Sequence, residues 1–461
     1  MKFIGRQEEL KRLKHIINKD SQENVLIYGR RRIGKSFLIK KALESYEGIV
    51  INYQCMEKNV VDTLSDLTSI IREKFNIEYN ITFRNFEEIL DFLFKSNKKV
   101  VLVLDEYPYL LKKIDGVNSI IQNKIDTYKF DSKLKLILSG SQIDIMLNII
   151  KHDSPLYGRF SESIHLKEHD YYESSLYYPN YNNEEKLLLY SVFGGEPIYN
   201  SKIDQTKTPD ENIIELMVKE NSYCELMINN VLKTELGKIE YANDVILAIA
   251  SGLKKNDDIV RKSHVESTSK IAYILDALQS LDLIEKKFPI NAEKNKKKTM
   301  YYIKSNALKF YYCYIFKNYN IRSVVEINEF YDTIIKPKLN EIYIPKIFED
   351  VTKQYLIKLN KAKKLTPSFM EIGTYWYDDK QNKVNGQFDV VTNDSNGYIY
   401  YEVKYTNAKI DDRVVREEKE QLQALKLEYY KLGFVSKTGF NISNPNDYIL
   451  ISLNDIYGET R

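Results

Sequence analysis

Gly29-Arg30-Arg31-Arg32-Ile33-Gly34-Lys35-Ser36 is the stretch from which the rest of the chain can be read. It has the pattern G-x-x-x-x-G-K-S, with the apolar run Val25-Leu26-Ile27-Tyr28 before it and a helical segment starting near Lys35 after it. A strand, a glycine-rich turn and a helix in that order form a phosphate-binding loop. The glycines let the backbone curl so that successive N–H groups face the phosphates, and the helix N-terminus adds partial positive charge. This assigns Gly29, Arg30, Arg31, Arg32, Ile33, Gly34, Lys35, Ser36 and Phe37 to a nucleotide. Lys35 is expected to reach the β and γ phosphates, and the Ser36 hydroxyl to reach Mg²⁺, which prefers hard oxygen ligands. ATP and Mg²⁺ are the expected cofactors.

A second strand ending, Val101-Leu102-Val103-Leu104-Asp105-Glu106, places two adjacent carboxylates after four apolar residues. At a strand end beside Ser36, Asp105 is expected to hold Mg²⁺, while Glu106 polarises the attacking water. A third, Lys135-Leu136-Ile137-Leu138-Ser139-Gly140-Ser141, ends in small polar residues, and either Ser139 or Ser141 can sense the γ-phosphate or position water. A Ser-Gly turn that merely closes the strand is the alternative. Arg159, in Tyr157-Gly158-Arg159-Phe160, is a candidate for neutralising charge on the transferred phosphoryl group.

Around these motifs, apolar runs at residues 24–28, 48–54, 99–104, 134–138 and 163–166 alternate with helical stretches. Near-continuous apolar strands with helical crossovers imply an α/β fold whose parallel sheet is buried on both faces, with its chemistry at the strands' carboxyl ends. This P-loop ATPase core is expected over residues 1–168. Residues 169–235 read as a helical lid, broken at Gly194-Gly195-Glu196-Pro197, which no helix interior tolerates. In residues 236–303, helices at 241–250, near 258–264 and at 267–281 precede two strand-like pieces around a Lys-rich turn, the order of a winged helix. A helical connector at 304–345 leads to a separate α/β domain over 346–461, with a charged helix at 412–430.

The chain has 461 residues, enough for two to four domains of roughly 100 to 200 residues each. No apolar run reaches the roughly 18 residues of a membrane span, and the N-terminus lacks a signal-peptide core, so no membrane partner and a cytoplasmic location are expected. The net charge of +3 from 68 basic and 65 acidic residues argues neither for nor against a polyanionic partner. Cys55, Cys224 and Cys313 are far apart, fit neither a disulfide nor a zinc pattern, and are expected in cores.

Phe3-Ile4-Gly5-Arg6-Gln7-Glu8-Glu9-Leu10, the phosphate loop, Leu104-Asp105-Glu106, Ser139-Gly140-Ser141, Tyr157-Gly158-Arg159 and Gly194-Gly195-Glu196-Pro197 come in the order seen in archaeal-type ATPases of the STAND branch of AAA+ proteins. The first 200 residues or so resemble that family. The resemblance implies that Gly5, Arg6 and Pro197 flank the base and ribose; Glu196 departs from the family's usual apolar residue.

In the last domain, Gln387-Phe388-Asp389-Val390-Val391 is followed by Ile399-Tyr400-Tyr401-Glu402-Val403-Lys404. Strand alternation puts Glu402 and Lys404 on one face, and a hairpin from Asp389 brings a second carboxylate alongside. The D…E-x-K pattern resembles the PD-(D/E)XK nuclease domain, a restriction-endonuclease-like fold, with Glu349 matching the acidic residue of its first helix. Gln387 replaces an acidic residue often present there. The expectation is a metal-dependent site in which Asp389 and Glu402 bind Mg²⁺ and Lys404 stabilises charge, coupled to the ATPase and acting on DNA or RNA. The alternative is a nucleotide-dependent assembly or signalling switch, in a homo-oligomer, whose C-terminal domain binds without cleaving. A basic wing at Lys294, Lys296, Lys297 and Lys298 is a candidate phosphate contact, against a helix at 267–281 whose one basic residue is Lys270.

Overall fold

The computed structural model describes residues 3–237, 239–265, 267–292, 299–379 and 384–458. The chain divides into two compact units, one of Met1–Glu168 with Ser280–Asp282, the other of His169–Gln279 with Leu283–Arg461.

The first unit is built on five parallel strands: β1 (Glu23–Tyr28), β2 (Ile49–Gln54), β3 (Val100–Asp105), β4 (Lys135–Gly140) and β5 (Glu162–His165). They lie in the order β2-β3-β4-β1-β5. Alternate side chains leave opposite faces, so the sheet separates two apolar cores. Leu26, Leu102, Leu104, Leu136 and Leu138 face one, with the helices Val60–Phe75, Phe86–Phe94 and Val117–Thr127. Val25, Ile27, Val101, Val103 and Ile137 face the other, with Gln7–Ile17 and Lys35–Leu43. Such double burial explains the uninterrupted apolar runs of the sequence.

The second unit begins with helices. Asn183–Phe193 starts in a capping box at Asn182 and ends at Gly194, after which Pro197 opens the short helix Pro197–Asn200. Further on, Ala242–Ala250, Asn256–Ser263 and Thr268–Ser280 precede an antiparallel pair, β6 (Ile284–Lys287) and β7 (Met300–Ile303). The lysine run at 294–298 lies outside the described residues.

The helix Ile344–Lys361 then leads into β8 (Glu371–Asp379), β9 (Val384–Asp394), β10 (Gly397–Lys404), the short β11 (Ile410–Asp411), β12 (Lys431–Ser436), the short β13 (Phe440–Asn441) and β14 (Ile449–Ser452). The larger sheet is mixed, in the order β14-β12-β10-β9-β8. β10, β12 and β14 run parallel, and β9 is antiparallel to β8 and β10.

The charged helix spans Asp412–Ala424, shorter than the 412–430 expected. Lys426 takes a left-handed conformation at φ 53° and Leu427 donates its N–H back to Leu422 O at 3.0 Å, closing the C-terminus early. Cys55 and Cys224 are buried, whereas Cys313 is only half-buried, so the expectation of three core cysteines is corrected at that position.

Within the second unit, Arg322 Nη2 meets Glu225 Oε1 at 2.7 Å with side chains only 2% and 8% exposed. Removing one partner strands a buried charge. Arg322→Ala should therefore lower the unfolding free energy of this unit by about 3–5 kcal/mol in a denaturant titration. A loss under about 1 kcal/mol would place the pair in the class of solvated surface bridges.

Candidate functional site

Because β1, β4 and β3 are adjacent and parallel, the segments that follow them emerge at one end of the sheet. These are the phosphate loop, Ser141, and Asp105 with Glu106. The loop needs its glycines for two different reasons. A Cβ on Gly29 would lie 2.3 Å from Leu166 O, whereas Gly34 has free space but sits at φ 99°, which side chains rarely adopt. Arg32, at φ 65°, adds a left-handed residue to the curl.

Lys35 opens the helix Lys35–Leu43, is buried, and donates to Gly29 O at 2.8 Å and Arg30 O at 3.0 Å. Burial pulls its pKa down, with Glu106 and Asp105 opposing. Ser36 Oγ donates to Asp105 Oδ2 at 2.6 Å, so the hydroxyl and carboxylate expected to share a cation are in direct contact. Their atoms are hard oxygens, the donor type Mg²⁺ takes. Glu106 stands in the left-handed region at φ 53°, and its Oε2 accepts from Ser141 Oγ at 2.9 Å and Ser141 N at 3.2 Å. A strained residue held by its neighbours is a common feature of functional sites. Ser139 is fully buried, one residue inside the strand end.

Other residues approach the loop. Arg6, at φ 60° and preceded by Gly5 at φ 66°, is buried and donates to Ile33 O at 3.3 Å and to Lys167 O. Arg30 pairs with Glu168 at 2.9 Å, and the Phe37 ring lies 5.5 Å from that of Phe3. Arg31 and Arg32 are exposed. Pro197 belongs to the second unit.

Arg159 is placed elsewhere. Its carbonyl accepts from Asn24 Nδ2 at 2.8 Å, beside the beginning of β1, whereas the phosphate loop follows the end of that strand. Five residues at ~3.3 Å each put the two roughly 16 Å apart. Its guanidinium grips Asp126 through Nε at 3.0 Å and Nη2 at 2.8 Å. The expectation that Arg159 adjoins the phosphates is therefore corrected within its own chain: it sits at the opposite end of the sheet.

In the C-terminal sheet, Tyr401 faces Val390 across β10 and β9, where the register ends; β9 carries one extra residue at 389–390 relative to β8, so Phe388 and Val391 join the same core and the expected simple alternation from Asp389 is corrected. Lys346, a residue the motif reading passed over, donates to Glu349 Oε1 at 2.9 Å and to Asp389 Oδ2 at 3.1 Å. Its position three residues before Glu349 on one helix was the available signal. Gln387 Nε2 donates to Asp389 Oδ1 at 2.5 Å, and Lys404 pairs with Glu402. Burial and the nearby Asp389 push the Glu349 carboxyl up to about 7. A second overlooked carboxyl, Glu418 on the helix Asp412–Ala424, is pushed up to about 7 by burial and by Glu402.

The fold and phosphate loop define a P-loop ATPase, and comparison with known proteins agrees. Residues 3–203 match an ATPase domain found predominantly in Archaea, and residues 311–420 match a family described as archaeal and bacterial proteins of unknown function. An uncharacterized protein of Methanocaldococcus jannaschii is 30% identical over 417 residues, 90% of each chain. The chain belongs to this family of archaeal-type, ATP-binding ATPases. An uncharacterized ATP-binding protein of the same organism is 21% identical over 344 residues, covering 58% of this chain and 90% of its own. A Walker-type ATPase of Pyrococcus abyssi overlays with a TM-score of 0.48 at 18% identity, covering 67% of this chain and 96% of its own. Among the described residues, no helix is long and apolar enough to cross a membrane.

The two raised carboxyls imply a pH dependence. Both pKa values lie above the ordinary carboxyl value of about 4.3, so the folded protein holds these protons more tightly than the unfolded chain. Their stabilisation is complete below the unfolded value and is lost as pH rises through about 7. The denaturation midpoint of the second unit should fall from about pH 5 to about pH 8, and fall less in a Glu349→Gln, Glu418→Gln double variant. Equal slopes in the two proteins would contradict the assignment.

Proposed function

We propose that the chain hydrolyses MgATP at the carboxyl ends of β1, β4 and β3 and that its C-terminal sheet acts on nucleic acid. The 2.6 Å contact between Ser36 Oγ and Asp105 Oδ2 carries the first half, because it joins the two oxygens that would hold a nucleotide-bound cation. In this reading Lys35 turns from the loop carbonyls to the β and γ phosphates, and the loop N–H groups cradle them. Gly5 and Arg6 border the base and ribose. Bound Mg²⁺ supplies charge neutralisation on the phosphates. Glu106 accepts the proton of the attacking water, with Ser141 fixing its carboxylate. Arg159 serves the phosphates only from a second copy of the chain. Residues 169–235 act as the lid, 236–303 as a winged helix and 304–345 as the connector to the C-terminal domain, residues 346–461.

In that domain, Asp389 and Glu402 bind a divalent cation, Glu349 supports them, and Lys404 stabilises charge on a scissile phosphate. The adjacency of the strands β9 and β10 that carry Asp389 and Glu402, with Glu349 held beside Asp389 by Lys346, supports this assignment. A second reading, a nucleotide-dependent switch whose C-terminal domain grips nucleic acid or a protein without cutting, is favoured by one observation. Among the described residues no three His, Cys, Asp or Glu side chains stand round a common point, and the carboxylates are engaged by Lys346, Gln387 and Lys404.

Lys35→Ala should weaken ATP binding about 10- to 100-fold, from the loss of charge-assisted contacts to the phosphates. Glu106→Gln should bind ATP with little change while turnover falls at least about 100-fold. Wild-type turnover in Glu106→Gln would remove it as the base. For the C-terminal domain, full-length protein is incubated with Mg²⁺ or Mn²⁺ and labelled DNA or RNA, with and without ATP. Metal-dependent cleavage that Asp389→Ala and Lys404→Ala abolish is the expected result; no cleavage by the wild type under any of these conditions selects the switch.

A further inference from the structure

Glu418 is a carboxyl in the wrong place for a solvated helix. Helix Asp412–Ala424 is strongly charged, yet its buried residues are Val415, Glu418 and Leu422, spaced i, i+3 and i+7 along one stripe. Val415 and Leu422 pack into the same apolar core as Val391 of β9 and Tyr400 of β10. Val391 and Tyr400 are direct partners across those strands. Alternation along β10 therefore puts Glu402 and Lys404, with Tyr400, on the sheet face that this helix covers. Glu418 points from the helix into that face with only 6% of its surface exposed, and its Oε1 has no hydrogen-bond partner among the described residues. Electrostatically it feels Glu402 and Lys404.

A buried carboxyl with an unpartnered oxygen costs stability, and an apolar residue would fill the stripe without that cost. We propose that Glu418 is a ligand for a divalent cation, binding it together with Glu402 on the covered face of the C-terminal sheet. The inference rests on the reading of Glu402 as a cation ligand, and it adds a second carboxylate beside it. A hard dication such as Mg²⁺ or Mn²⁺ suits carboxylate oxygens, water filling its other positions. In the arrangement described, the ammonium of Lys404 is the positive charge held by Glu402. The Lys404 side chain is 41% exposed, which leaves it room to swing away when a cation takes the carboxylates. It would then be released toward a phosphate.

The alternative is a neutral, purely structural acid, and burial with the nearby Glu402 does raise the Glu418 carboxyl to about 7. The two differ in measurable ways. Mn²⁺ is titrated into nucleotide-free full-length protein, followed by the paramagnetic signal of free Mn²⁺ and by the shift in melting temperature. Asp105→Asn is the background throughout, to silence the ATP-site carboxylate. Glu418→Gln, which keeps the shape, should weaken Mn²⁺ binding at least about tenfold, as should Glu402→Gln. Glu418→Leu should melt higher than its parent without metal and gain nothing from Mn²⁺. If Glu402→Gln loses Mn²⁺ but Glu418→Gln binds it like the parent, the inference is overturned while the C-terminal metal reading stands. If the parent shows no Mn²⁺ binding that Glu402→Gln removes, that reading falls and the inference with it.

Discussion

The parallel pairing of β1 with β4 and of β4 with β3 is the constraint on which the ATP site depends. Tyr28 lies opposite Gly140, and Leu104 opposite Leu138, so three strands end together. The curl of the loop, the Ser36–Asp105 contact and the Ser141–Glu106 contact all follow from that common edge. Apolar side chains on both faces fix the register, because a slip by one residue would exchange the two cores facing the sheet.

The C-terminal sheet uses a related device with a different result. Antiparallel pairing of β9 and β10 joins the strands that carry Asp389 and Glu402, and the helix over the Tyr400 face of β10 carries Glu418. Here positive side chains, Lys346 and Lys404, already balance the carboxylates. Beside the phosphate loop, Glu106 is held instead by the neutral hydroxyl and the N–H of Ser141.

Much of this was legible in the residues. The strand expected at 24–28 is Glu23–Tyr28 and that expected at 99–104 is Val100–Asp105, because double burial forces uninterrupted apolar runs that periodicity detects. The contact of Ser36 with Asp105 followed from the strand ends. Arg159 did not, since its place depends on Asp126 and on the crossover into β5, neither of which has a local signature. The helix at 412–430 stopped early through a left-handed lysine where glycine is usual. Glu418 was visible at i+3 from Val415, but one carboxylate among many on a charged helix gains meaning only once the buried face is known.

The central claim is that the Ser36 oxygen binds the nucleotide's cation, and a metal-specificity switch tests it directly. Ser36→Cys replaces a hard oxygen with a soft sulfur in nearly the same position. ATP turnover by this variant should collapse with Mg²⁺ and recover substantially with Cd²⁺, which binds thiolate, while the wild type shows no such preference. Turnover undiminished with Mg²⁺, or equally lost with both ions, would contradict the account.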